Sequence, residues 1–339
     1  MNNFYQSTPD EQTQRLRGLA AEALKHWDIE CLSLELIKYR ENAVYRLVTT
    51  EGEEFAVRIN RPGYHSEPAL RSELQWIDAL DRHGFDVPQV IPTTEAELLV
   101  TVSVSDVPEP RQVGLFSWVE GQPLAAELEC SPEDKGKIRS IYRTVGQSAA
   151  KLHNQATSWP LPEGFQRHAW DLEGLVGEQP FWGRFWELES LTSEQRQLLI
   201  AARDQVRRDL RKLGQEPGLY SLIHADFVPD NLLVDGGCVR LIDFDDAGFG
   251  WHLFEIATAL YFIQDEPYFD TARDAMIAGY RDHRPLSDEA LEQLPLFLVA
   301  RGCTYLGWVQ SRQETETAKE MTSELIRMAC DIAQRYMAE

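Results

Sequence analysis

The chain is short of paired cysteines. Cys31, Cys130, Cys238, Cys303 and Cys330 are scattered without a common spacing. An odd, dispersed set excludes a disulfide framework and a zinc site built on cysteine pairs, and it points to reduced thiols in the cytoplasm. No apolar run approaches the roughly 20 residues that cross a membrane. The opening residues, MNNFYQSTPDEQ, lack the basic stretch and apolar core of a signal peptide. Nothing repeats at a fixed period, and no low-complexity linker interrupts the chain. Positive charge is scarce: 33 Lys and Arg face 55 Asp and Glu, for a net charge of −22. This speaks against a nucleic-acid partner, which needs basic patches. It suits a cationic substrate and, equally, plain solubility.

What remains is an ordinary globular composition, 43% hydrophobic and 26% charged, over 339 residues. That length suits two lobes better than one small core. Residues 8–28 predict a helix: Thr8-Pro9-Asp10-Glu11 is a capping box with proline at the first helical position. Leu16, Leu19, Ala20, Ala23, Leu24 and Trp27 then share a face. Leu34–Tyr39, Ala43–Thr49 and Phe55–Ile59 predict three strands, joined by turns at Arg40-Glu41-Asn42 and Glu51-Gly52-Glu53. Residues 67–82 predict a helix closed by Gly84. Its buried face holds Leu70, Leu74, Ile77 and Leu80, and Glu73 falls on that face too. A glutamate there needs a cation, and Arg58 on the third strand supplies one. Val113–Val119 reads as a further strand, broken by Glu120-Gly121-Gln122-Pro123. From about residue 131 the pattern is mostly helical, with a strong helix over 138–154.

The rest is organised around residues 223–250, IHADFVPDNLLVDGGCVRLIDFDDAGFG. Leu232–Val234 and Val239–Ile242 are joined by Asp235-Gly236-Gly237, a strong hairpin signal. Asn231 stands at the start of this hairpin and Asp243 at its end. A carboxylate and an amide oxygen make a hard oxygen site of the kind Mg²⁺ takes alongside phosphate oxygens. A second carboxylate, Asp226, can orient a hydroxyl and take its proton during phosphoryl transfer. The spacing matches the kinase catalytic loop, H-x-D-x-x-x-x-N, followed by a metal-binding aspartate. Here the loop is His224-Ala225-Asp226-Phe227-Val228-Pro229-Asp230-Asn231, and the second motif is Ile242-Asp243-Phe244-Asp245.

On these motifs the chain resembles the aminoglycoside phosphotransferase family. This branch of the kinase-like fold holds choline kinases, homoserine kinases of the second type, hydroxylysine kinases and the bacterial stress-response kinase. Ala225 stands where that family commonly has glycine. The resemblance implies an α+β, two-lobed protein-kinase-like fold. Residues 1–119 would form a nucleotide-binding lobe with a small antiparallel sheet and an extra N-terminal helix. Residues 120–339 would form a mostly helical lobe with the substrate-binding insertion at about 165–213. It implies ATP and Mg²⁺, Asp226 as base, and Asn231 and Asp243 as metal ligands. The glycine-rich phosphate loop is absent, and KYRENAVYRL with Asn42 is similar to the loop that replaces it. A lysine is expected at position 58, where this chain has Arg58; the charge is kept, but reach and geometry differ. Arg58 paired with Glu73 would grip the phosphates, and the backbone from Ser117 to Val119 would meet the adenine.

The expected reaction moves the ATP γ-phosphoryl group to a hydroxyl of a small amino alcohol, hydroxy-amino acid or aminoglycoside-like amine. Two alternatives stand beside it. One is a Ser/Thr protein kinase of the stress-response type, which the short segment after Asp243 disfavours because no A-P-E element follows. The other is a nucleotide-binding protein without turnover, suggested by Arg58. Trp170, Trp182, Phe185 and Trp186 could wall an amine pocket or simply pack helices. Asp245 could assist the metal, face the substrate amine or cap the next helix. Glu255 reads as a fold-holding acid and His153 as structural, while Arg301, Tyr305 and Trp308 share one helical face.

Overall fold

In the computed structural model the described residues are 4–338, except 41, 131, 132, 237 and 314. Glu41 and Gly237, each expected in a turn, lie outside them. The chain packs as two compact units. The first comprises Met1–Glu120, Pro162–Gln166 and Arg240–Asp245; the second comprises Gly121–Leu161, Arg167–Val239 and Asp246–Glu339. Asp243 therefore belongs with the first unit, and Asp226 and Asn231 with the second.

The first unit is built on a five-stranded antiparallel sheet. Its strands are β1 (Cys31–Tyr39), β2 (Ala43–Thr49), β3 (Glu54–Ile59), β4 (Val100–Val102) and β5 (Arg111–Ser117), in the order β1-β2-β3-β5-β4. The three expected strands are there, and β5 stops at Ser117 rather than Val119. Helix α1 (Pro9–Ala23) starts at the capping box, with Thr8 and Glu11 bonded reciprocally. Its apolar stripe, Leu16, Leu19, Ala20 and Ala23, shares one core with Tyr45, Leu47, Val57, Ile59, Val113 and Leu115 of the sheet. Alternation along β2, with every second residue buried, follows from one face being covered. The opposite face carries Arg58. Helix α2 (Glu67–Arg82) is capped by Ser66 and followed by Gly84 at φ +79°. It buries Leu70, Leu74, Ile77, Leu80 and Glu73, as its periodicity predicts.

The second unit is mostly helical. It opens with β6 (Gln122–Pro123), α3 (Leu124–Cys130) and α4 (Lys135–Ser158), followed by β7 (Ala169–Trp170), α5 (Leu172–Val176) and α6 (Ser193–Leu213). The catalytic-loop segment comes next, between β8 (Tyr220–Ile223) and the hairpin strands β9 (Leu232–Asp235) and β10 (Cys238–Leu241). Then follow β11 (Gly248–Trp251), α7 (His252–Tyr261), α8 (Phe269–Arg281), α9 (Asp288–Leu291), α10 (Leu294–Gln310) and α11 (Glu316–Ala338). Two glycines let α4 and α8 touch backbone to backbone. A Cβ on Gly146 would collide with the Met276 carbonyl, and one on Gly279 with the Arg143 carbonyl. Among the described residues no helix is long and apolar enough to cross a membrane. Each of the five cysteines is a free thiol, with Cys31, Cys130 and Cys238 exposed and the other two buried.

Candidate active site

In the second unit, β8 delivers the chain into the loop that carries Asp226. Ala225 takes φ +62°, the left-handed region that disfavours a Cβ. The turn is held from behind by Glu255 on α7. Its fully buried carboxylate accepts the His224 and Ala225 backbone N–H groups at 2.7 and 2.8 Å. Burial pushes the Glu255 carboxyl up from the ordinary carboxylate range, and the His224 ring, the two N–H donors and Arg301 counter in part. Glu255 is thus the fold-holding acid the sequence suggested, acting on the loop backbone.

Both carboxylate oxygens of Asp226 are held. Arg301 Nη2 on α10 donates to Oδ1 at 2.9 Å, and Asn231 Nδ2 donates to Oδ2 at 2.7 Å. Asn231 also donates to the Asp226 carbonyl at 3.0 Å, so its amide oxygen is the donor atom left for a cation. Arg301 is 0% exposed, and it also donates to the Ala225 carbonyl and to the Tyr305 hydroxyl, at 3.0 and 2.8 Å. Its guanidinium lies 4.8, 5.4 and 4.2 Å from the ring centroids of Trp182, Phe254 and Tyr305. Burial works against this charge, but Tyr305, Asp226 and Asp246 hold it. Trp308, on the same face of α10, carries Arg312 over its ring.

The tryptophan-rich segment packs into the second unit. Trp170 and Phe185 are core residues, 0% and 1% exposed, and Trp186 stacks on Arg203. Trp182 reaches the site: its indole N–H donates to Asp246 Oδ1 at 3.3 Å, and its ring is 5.8 Å from that of Tyr305. His153 is structural, fully buried, bonded to the Tyr280 hydroxyl at 2.8 Å and stacked on His252 at 4.2 Å.

In the first unit, Arg58 on β3 makes a two-pronged pair with Glu73 on α2, Nη1 to Oε1 at 2.6 Å and Nη2 to Oε2 at 3.0 Å. Both side chains are buried, 8% and 0% exposed. Burial alone would lower the guanidinium's proton affinity, but Glu73, Asp245 and Asp243 raise it instead. Asp243 stands two residues beyond β10 at φ +64°, with Lys38 Nζ 3.5 Å from its Oδ2. Asn42 Oδ1 accepts the Arg61 N–H at 3.0 Å and so closes the turn after β1. Ser117 at the end of β5 accepts the Gln89 N–H on its hydroxyl at 2.9 Å, and Val119 follows two residues beyond the strand. Asp245 does not cap α7, whose N-cap is Trp251. It is buried and bonded through its carbonyl to His65 Nε2 at 2.8 Å.

The sequence named Arg301 and Tyr305 as one helical face without linking them to Asp226. A lone charge in the apolar run LPLFLVARGCTYLGWV was the available signal. Lys38 opens the KYRENAVYRL stretch, but nothing in the sequence set it beside Asp243. Among the described residues no three His, Cys, Asp or Glu side chains converge as a metal-binding group.

Comparison with known proteins agrees with this chemistry. The chain is 22% identical over 316 residues to amicoumacin kinase of Bacillus subtilis (strain 168), covering 90% of this chain and 88% of that one. It is 29% identical over 271 residues to homoserine kinase of Chelativorans sp. (strain BNC1), covering 77% and 74%. The solved structure of the microcompartment-associated aminopropanol kinase superposes with a TM-score of 0.83 at 32% identity, covering 95% of this chain and 98% of that one. Residues 35–290 match the family described as "Phosphotransferase enzyme family". The chain belongs to that family, as an ATP-dependent phosphotransferase acting on a small-molecule hydroxyl.

Proposed function

We propose that this kinase phosphorylates the hydroxyl of a small amino alcohol, with Mg²⁺ as the metal. The observation that carries the reading is the clamp on Asp226. With one oxygen on Arg301 and the other on Asn231, the carboxylate is fixed in one orientation. That is what orienting an acceptor hydroxyl and accepting its proton requires. Asn231 through its amide oxygen and Asp243 through its carboxylate would hold the metal. Bound there, Mg²⁺ would neutralise the charge on the phosphate oxygens. Arg58, anchored by Glu73, would add a fixed cation on the nucleotide side, with Asn42 shaping the turn and Ser117 to Val119 offering backbone to the base.

The choice of an amino alcohol rests on two supports. One is the likeness to the aminopropanol kinase at 32% identity over nearly the whole chain. The other is local: Asp246, which accepts the Trp182 indole N–H, supplies negative charge of the kind that suits an ammonium. The likeness to homoserine kinase favours a hydroxy-amino acid as the second reading. Such a substrate adds a carboxylate, and Arg301, the guanidinium bonded to Asp226, is already committed to that residue and to Tyr305.

ADP release from Mg-ATP with separate pools of amino alcohols, hydroxy-amino acids, aminoglycosides and a generic protein tests the reading. Release with amino alcohols, reduced roughly 10²–10⁴-fold by Asp226→Ala, is the expected result. Release with homoserine alone would install the second reading, and release with protein alone would overturn the small-molecule assignment. Unchanged turnover in Asp226→Ala would remove that carboxylate from the mechanism.

A further inference from the structure

We propose that Lys38 is the exposed cation that grips the nucleotide's polyphosphate in this enzyme. The inference rests on the nucleotide-binding reading of the first unit and assigns a residue to it. It starts from what Arg58 can no longer do. Both terminal nitrogens of Arg58 are bonded to Glu73, its Nε is buried without a hydrogen-bond partner, and its guanidinium lies 5.1 Å from the Phe116 ring centroid. Only 7% of the residue is exposed. Moving the guanidinium out to a phosphate would leave the Glu73 carboxylate buried and unpaired, a strongly unfavourable exchange. Arg58 serves as a fixed charge that joins β3 to α2.

The sheet places a second cation on the same face. Lys38 on β1 pairs with Val44 on β2, and Val44 pairs with Arg58 on β3. Residues directly opposite one another across neighbouring strands project to one side of a sheet. Lys38 and Arg58 thus stand in one row, two strands apart, on the face opposite the α1 core. Lys38 differs in being available, with 43% of its side chain exposed. Its ammonium lies 3.5 Å from Oδ2 of Asp243, the carboxylate proposed as metal ligand. It also stands one residue before the end of β1, ahead of the link to β2. The chain has seven lysines, and between Lys25 and Lys135 Lys38 is the only one.

The chemistry of the two cations matches this division. An ammonium on a four-carbon stem is a mobile point charge and can exchange a carboxylate partner for phosphate oxygens at little conformational expense. The ligand class is a nucleoside di- or triphosphate; a monophosphate is too short to engage the same ammonium fully.

Equilibrium titration with fluorescent ATP, ADP and AMP analogues, with Mg²⁺ and again in EDTA, tests the assignment on the full chain. Lys38→Met should weaken ATP and ADP binding by about 10- to 100-fold in both conditions, since two to three bonds from a charged donor are lost. AMP should stay within about threefold, and Lys38→Arg should recover much of the loss. The KM for ATP should rise while the KM for the acceptor holds. ATP bound equally well by Lys38→Met and wild type would overturn the proposal. So would a loss shared equally by AMP, or one that Lys38→Arg deepens. A wild-type protein that binds no ATP would instead overturn the nucleotide-binding reading beneath it, so the two failures are distinguishable.

Discussion

Replacing Arg301 by methionine is a direct test of how the second unit holds the Asp226 carboxylate. Methionine fills most of the same volume among Trp182, Phe254 and Tyr305, so little cavity results. What disappears is the charge and three hydrogen bonds, to Asp226 Oδ1, the Ala225 carbonyl and the Tyr305 hydroxyl. Removing one partner of a buried ion pair costs about 3–5 kcal/mol, because the other charge is left behind. The Asp226 side chain is 24% exposed, and water offsets part of that, which favours the lower end, about 3 kcal/mol. For a domain of 150–250 residues this lowers the unfolding midpoint by roughly 6–12 °C. Thermal unfolding followed by tryptophan fluorescence and circular dichroism gives the measurement. Adding Asp226→Asn should restore most of the lost stability, because no uncompensated charge then remains, while activity stays lost. An Arg301→Met midpoint within about 2 °C of wild type, or an Asp226→Asn addition that only deepens the loss, would refute the electrostatic account.

Two further outcomes follow from backbone and burial. Ala225→Gly should raise stability by about 0.5–1 kcal/mol, since relief at φ +62° outweighs the entropy glycine loses on folding; a lower denaturation midpoint in urea would show that the loop does not hold this conformation in solution. His153 and His252 are both kept well below the ordinary histidine range, by burial first and then by Arg284 and, for His252, by His153. The unfolded chain therefore takes up protons that the folded one refuses. Stability contributed by the neutral rings is present above about pH 6.5 and is lost as pH falls below it, by up to about 1.4 kcal/mol per unit for each ring. Urea unfolding at pH 7.5 and 5.5 should show this, and His252→Gln should flatten the difference by about 1.4 kcal/mol; an unchanged slope in that variant would be the contrary result.

Local chemistry in the sequence determined a good deal. The capping box at Thr8, the Ser66-capped helix with Glu73 on its buried face and the three strands follow from short-range rules, and the structure has them. The spacing of Asp226, Asn231 and Asp243 points to phosphoryl transfer, because those side-chain types at those separations match the kinase catalytic loop and its metal-binding aspartate. The Arg58–Glu73 pair was legible too, since a glutamate on an apolar face requires a cation. Ala225 was read as a small residue in a position needing smallness; the backbone shows that the requirement is a left-handed turn, which a letter cannot reveal.

The tertiary structure alone decided which distant charges meet. Arg301 and Asp226 are 75 residues apart, and Lys38 and Asp243 are 205 apart. Periodicity fixes which face of an element a side chain occupies. Which other face it meets depends on strand register and helix packing, and these are settled by burying the whole apolar surface at once. The row of Lys38, Val44 and Arg58 exists only because three strands align in one register. Glu255 holds the loop of Asp226 only because α7 packs against β8. The sequence specified the chemical groups, and long-range packing set the orientation of the Asp226 carboxylate and left Lys38 exposed beside Asp243.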